Sequence, residues 1–163
     1  MKLLREYIRA SIQKMLREAA AACPAAAGNL ELNTKNRDAS IKADHIMYGP
    51  LNLSDENYWV ELAEHWNTTV DVAKQSICGN CTAFDLSPRM LECMPGEVQD
   101  ADGRLGYCWM HHFKCHSART CRTWAAGGPI TTDRVSMSWQ EKAQSAVEEN
   151  RKRRLKIIDW GRQ

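Results

Sequence analysis

Apolar and polar positions alternate with a helical period at the start of the chain. Leu4, Ile8, Ile12 and the Met15–Leu16 pair fall on one stripe, with Lys and Arg opposite, and predict an amphipathic helix over residues 3–18. Residues 19–45 hold Ala, Pro24, Gly28 and then a mixture of Asn, Lys, Asp and Ser. Little there can bury a face, so residues 19–49 are expected to be a flexible linker. Gly49-Pro50 marks its end. The pattern resumes at Ser54, read as an N-cap with Asp55 and Glu56 in the first turn. Tyr58, Trp59, Leu62, Ala63 and Trp66 then predict an amphipathic helix over residues 55–66. Thr68 or Thr69 caps a second, short helix through about Gln75, and the aromatic residues of this region are expected in a core.

Beyond Gln75 the periodicity breaks up. Residues 78–128 place Gly, Pro, Asp and Cys at short intervals, with no long strand or helix. Such a segment needs cross-links to stay folded. After Gly127-Gly128-Pro129 and a polar stretch, residues 138–158 recover a helical pattern, with Trp139, Ala143, Ala146 and Val147 apolar. The expected architecture is a small metal-stapled domain over residues 50–130, mainly irregular with short helices and at most a small hairpin. N- and C-terminal amphipathic helices flank it, in residues 1–18 and in a helical tail over 131–163.

The chain has 163 residues, enough for one domain with tails. Its net charge is +2, but residues 1–18 carry five bases and two acids, so the basic excess lies at the N-terminus. Arg151-Lys152-Arg153-Arg154 is a basic run, ordinarily a solvated face and only a weak candidate for contact with a nucleic-acid backbone. No stretch approaches the ~18 apolar residues that cross a bilayer. No signal peptide is visible, because charges interrupt the opening apolar residues.

Seven Cys change the picture. Cys23 stands alone, and six fall between positions 78 and 121. Clustered Cys without a secretion signal favour a metal over disulfides. Cys78-Gly79-Asn80-Cys81 puts two thiolates on one side of a tight turn, within reach of one metal centre. Gly79 and Asn80 suit such a turn because both tolerate positive φ. Cys93, Cys108, Cys115 and Cys121 follow.

An iron–sulfur cube (4Fe–4S) needs four thiolates and a mostly dry pocket. Phe84, Tyr107, Trp109 and Trp124 flank the Cys and are candidates to wall it. Zinc is the alternative cofactor: Cys108-x2-His111 can supply the second half of a site begun by Cys78-x2-Cys81, with His112 and His116 nearby. Disulfides throughout are the third reading.

This region resembles the high-potential iron–sulfur proteins. The resemblance rests on Cys78-x2-Cys81-x2-Phe84, on Cys93-Met94-Pro95-Gly96-Glu97-Val98 and on Gly106-Tyr107-Cys108, about one fifth of the chain. It implies Cys78, Cys81, Cys93 and Cys108 as ligands of the cube and Tyr107 as a ring packed against it. His111 stands where that family usually has an aromatic, and the family has no need of two further Cys. A second register uses Cys78, Cys81, Cys108 and Cys121, because Cys121-x2-Trp124 supplies the aromatic. Cys93 and Cys115 are then spare.

Two further resemblances concern context. Leu16-Arg17-Glu18 before an Ala run, at the end of an amphipathic leader, resembles the capsid-targeting leaders that T4-like myophages cleave after such a Glu. Glu18 is the implied cleavage position. The stretch from Gly106-Tyr107-Cys108 through Phe113-Lys114-Cys115 and Ser117-Ala118-Arg119-Thr120-Cys121 to Gly127-Gly128-Pro129-Ile130 is similar to proteins of marine myophages whose function is not settled.

No catalytic constellation is present. Neighbouring Cys and His in sequence do not make a nucleophilic pair, and no phosphate loop appears. Asp100, Asp102 and Gly103 lack the spacing of a calcium loop. The expected function is an iron–sulfur protein of a phage particle, in the virion or the host cytoplasm. Its cluster serves one-electron transfer or staples the fold. Its expected partners are capsid or other virion proteins, or a redox partner. The alternative is a zinc- or disulfide-stapled virion protein that binds other proteins without redox chemistry. A third reading is a cellular electron carrier with residues 1–18 as a targeting or docking helix.

Overall fold

The structure is a computed structural model and describes residues 5–9, 11, 23–96 and 98–160, the side chains of 154–160 excepted. Residues 23–136 form one compact unit, wider than the 50–130 expected, and residues 137–160 belong to a second.

The widening comes from a segment expected to be a flexible linker. Residues Ala25–Gly28 form helix α1 and Leu30–Lys42 form helix α2. Asn29 starts α2 by accepting a hydrogen bond from the Leu32 N–H at 2.9 Å. The helix has no apolar stripe, which is why periodicity missed it. It presents Asn33, Asn36 and Ser40 instead, spaced to share a face, with Asn33 and Ser40 buried. Asn33 Oδ1 accepts from the Lys114 N–H (2.7 Å) and Asn36 Nδ2 donates to the His112 carbonyl (2.7 Å). Side chains that bond to a strand's free backbone groups do here what apolar contact does elsewhere.

Helices α3 (Glu56–Trp66) and α4 (Val70–Gln75) fall where the pattern predicts them. The N-cap of α3 is Asp55 rather than Ser54; its carboxylate accepts from the N–H groups of Asn57 and Tyr58. Asn67, at φ 52°, ends the helix in the left-handed conformation that Asn tolerates. Thr69 caps α4 through Val72 N–H. The facing surfaces close an apolar core of Trp59, Leu62, Ala63 and Ala73, with Tyr58, Trp66, Val70 and Ile77 packed around it.

A three-stranded antiparallel sheet, order β1-β2-β3, occupies the segment expected to be mostly irregular. The strands are β1 (Phe84–Asp85), β2 (Leu105–Cys108) and β3 (Phe113–His116), and helix α5 (Pro88–Cys93) lies between β1 and β2. The expected small hairpin is β2–β3, with His112 at φ 54° in its turn. In the register, Phe84 and Phe113 both stand opposite Cys108, and Cys115 opposite Gly106. Directly opposed residues, and residues two apart on a strand, share a face. One face therefore carries Phe84, Gly106, Cys108, Phe113 and Cys115; the other carries Asp85, Tyr107 and Lys114. Neither outer edge is bare. Asn33 and the Tyr48 hydroxyl take the outward N–H groups of Lys114 and His116 on β3. Beside β1, the Leu86 N–H donates to Ile130 and the Ile130 N–H to Phe84.

Helix α6 (Asp133–Trp160) contains the expected 138–158. Its apolar stripe is thin, since Val147 is 66% exposed. Arg151 and Lys152 pair with Glu148, and Arg153 with Glu149, on the same helix. No helix among the described residues is long and apolar enough to cross a membrane.

The visible covalent staple is a disulfide between Cys23 and Cys93. It ties Cys23, two residues before α1, to the end of α5 and closes a loop spanning 70 residues. Metal stapling is not displayed. Among the described residues no group of three or more His, Cys, Asp and Glu side chains is arranged to hold a metal ion.

Candidate metal centre

The Cys-x-x-Cys segment forms a single 3-10 turn, Cys78–Asn80. Neither Gly79 nor Asn80 takes the positive φ that the sequence suggested. Asn80 serves the turn through its side chain, accepting from the Ile77 N–H and donating to the Gln75 carbonyl. The turn is fastened to the chain before Cys121: the Cys78 N–H donates to Arg119 and the Gly79 N–H to Ser117. On its far side, a side chain at Gly128 would collide with the Cys81 carbonyl, so only glycine lets residues 126–128 approach so closely.

Five Cys are free: Cys78, Cys81, Cys108, Cys115 and Cys121. Four are buried and Cys108 is partly exposed. Cys78 and Cys108 are electrostatic neighbours of the other three. The sheet register explains part of this, because Cys108 and Cys115 lie on one face. Cys93, a ligand in the first expected register, is removed by its bond to Cys23. The second register, Cys78, Cys81, Cys108 and Cys121, consists entirely of free thiols, with Cys115 among them.

Backbone N–H groups point at three of these sulfurs. Ala83 and Ala125 donate to Cys81, Met110 and His111 to Cys108, and Thr123 to Cys121. In each case one donor lies two residues after the Cys. Such donors favour the thiolate, and burial opposes it. Burial wins at Cys81, whose thiol is raised, and at Cys121, pushed up to about 12. Cys115 is raised far above the ordinary thiol range, first by burial. Cys108 goes the other way. The hydrogen bond from Cys115 lowers it, and the two N–H donors assist.

The four expected packing rings divide. Phe84 shares the Cys108 face and lies against Gly106, where any side chain would strike its ring. This explains the glycine of Gly106-Tyr107-Cys108. Trp124 sits over the Cys-x-x-Cys turn, its Nε1 donating to the Ile77 carbonyl and to Asn80 Oδ1, both at 2.9 Å. Tyr107 lies on the opposite face, stacked edge-on with Trp109, whose Nε1 donates to buried Asp85 at 2.7 Å. Three further rings that sequence reasoning did not assign to the sulfurs also neighbour them. Phe113 faces Cys108 across β2–β3 and packs edge-on to Tyr48, with centroids 4.8 Å apart. Tyr48 neighbours Cys115 and Cys78; Tyr58 neighbours Cys121 and Cys78. Tyr48 fell in the expected linker, and Phe113 carried no signal beyond its place beside Cys115.

Of the histidines, His111 approaches the thiols: its Nε2 is 4.0 Å from Cys121 Sγ and 2.6 Å from Thr123 Oγ1. Burial lowers both His111 and His112, so they favour the neutral ring, the form that binds metals. His116 is engaged elsewhere, accepting from Ala118 N–H and facing Asp100 at 3.2 Å. Glu18, the implied cleavage position, lies outside the described residues.

No protein-family model matches the chain, and no curated protein or solved structure matches it either.

Proposed function

We propose that this protein binds an iron–sulfur cluster at its buried thiol cluster, through Cys78, Cys81, Cys108 and Cys121. One observation carries the reading: five thiols are free, four of them buried, and Cys108 and Cys115 share one face of the sheet with Phe84 and Phe113. Hydrogen bonds to sulfur and exclusion of water are what a thiolate-held cube requires. Such a cluster carries one electron at a time and also contributes folding free energy to a region of very short strands. The resemblance to high-potential iron–sulfur proteins supports the same cofactor. The leader-like N-terminus and the resemblance to marine myophage proteins support a place in a phage particle, among virion proteins.

The test is an absorption spectrum of protein purified without oxygen, with iron and sulfide assayed on the same sample. A brown protein absorbing broadly near ~400 nm, with about four iron per chain, is the expected result. Cys121→Ser then loses the iron while Cys93→Ser keeps it; the reverse outcome restores the register through Cys93. Intact-mass analysis of protein from particles tests the context, the expected product beginning at Ala19.

A second reading has its own observation. His111 beside Cys121 allows a zinc site of mixed Cys and His ligands. A colourless protein with one zinc would establish it and leave a stapled protein without redox chemistry.

A further inference from the structure

The Cys23–Cys93 disulfide differs from the free thiols in access. Four of the five thiols are buried. Cys23 is exposed, while its partner Cys93 is buried at 8% exposure. The segment that Cys23 leads into is weakly held by other means. Helix α1 is a single turn that approaches β3 and buries only the methyls of Ala26 and Ala27. The Ala27 N–H donates to Pro24 and the Asn29 N–H to Ala25, so these bonds stay local. Among the described residues, no hydrogen bond runs from residues 23–28 to any element beyond α2. Helix α2 is anchored separately, through Asn33 to Lys114 and Asn36 to His112. Two alanine methyls bury little apolar area to set against the conformational entropy of ordering residues 23–28. The disulfide is therefore the main fixing of that segment.

We propose that Cys23–Cys93 is a reversible thiol–disulfide exchange site, and that a dithiol reductant opens it and releases residues 23–28 from the compact unit while α2 and the elements after it stay folded. Neither the site nor its chemistry depends on bound iron. A thiolate of the reductant attacks Cys23 Sγ, the sulfur of the exposed residue. The S–S bond breaks, and Cys93 leaves as a thiolate that takes up a proton. The reductant's second thiol then attacks the mixed disulfide, which closes the reductant's own disulfide and frees Cys23 as a thiol. Two electrons pass from the dithiol to the protein, and an oxidised dithiol reverses the exchange.

The test is hydrogen exchange read by mass spectrometry on the full chain, purified without reductant and then treated with dithiothreitol in native buffer. Alkylation in urea counts the thiols before and after treatment. Before treatment the count should be five, and afterwards Cys23 and Cys93 should be added to it. Amides of residues 25–29 should then exchange about tenfold faster, with 33–42 and 56–75 unchanged. Oxidised dithiothreitol should restore the slow exchange. Cys23→Ser should match the reduced protein without any treatment. Three results would overturn the proposal. A disulfide that dithiothreitol reduces in urea but not in native buffer is inaccessible. Unchanged exchange at 25–29 after reduction means that the segment stays docked without its bond. Faster exchange throughout, in the reduced protein or in Cys23→Ser, makes the disulfide a staple of the whole fold. Seven reactive thiols in the untreated protein would remove the site itself.

Discussion

The α3–α4 pair and the β-sheet region solve the same problem with different materials. The helices bury Trp59, Leu62, Ala63 and Ala73 against one another, and their caps are supplied locally by Asp55 and Thr69. That core is complete as it stands. The sheet has strands of two to four residues and an interior that is partly sulfur. It is held by side chains borrowed from distant segments: Asn33, Asn36 and Tyr48. A core of carbon needs no further component. A core that is partly thiol packs smaller side chains and buries less apolar area per residue.

The contrast can be broken or sharpened by five measurements. The largest effect is expected from Cys108→Ser. Removing a central sulfur should abolish iron binding and, with it, most protease resistance of residues 78–130, while helical circular dichroism from α3 and α4 persists. Cys93→Ser comes next. Opening a 70-residue loop should cost about 4 kcal/mol in urea denaturation and leave the colour intact. Leu62→Ala, at a fully buried site of the helical core, should cost about 3 kcal/mol, by the same amount with and without iron. Asp55→Ala removes the α3 cap and should cost about 1 kcal/mol.

The smallest effect concerns the metal-free protein and pH. The Cys81, Cys115 and Cys121 thiols are raised by burial, so the unfolded chain ionises them first. Their contribution to stability is full below about pH 8.5 and is lost as pH climbs toward about 12, the value for Cys121. The urea midpoint should fall over that window.

The same contrast explains what the sequence made legible. Helices α3 and α4 follow from apolar spacing and cap residues, and α6 from its longer pattern, because those signals are local. Helix α2 was missed because it docks through Asn33, Asn36 and Ser40, which read as linker composition. The strands are too short for alternation to register. The cysteines were legible as a grouping along the chain, and Cys78, Cys81, Cys108 and Cys121 are free thiols. The partner of Cys93 was not legible, since Cys23 lies 70 residues away in a stretch with no other sign of structure. Tyr48 and Phe113 reach the sulfurs through tertiary contacts that no spacing announces.

The blocked rims of the sheet have a consequence for life among many copies. A strand with open N–H and C=O groups recruits other chains, and a short sheet near neighbours at high concentration is prone to it. Here amide and phenol side chains occupy one rim and the Ile130 backbone the other. Loss of Asn33 or Tyr48 would open the β3 rim to such pairing.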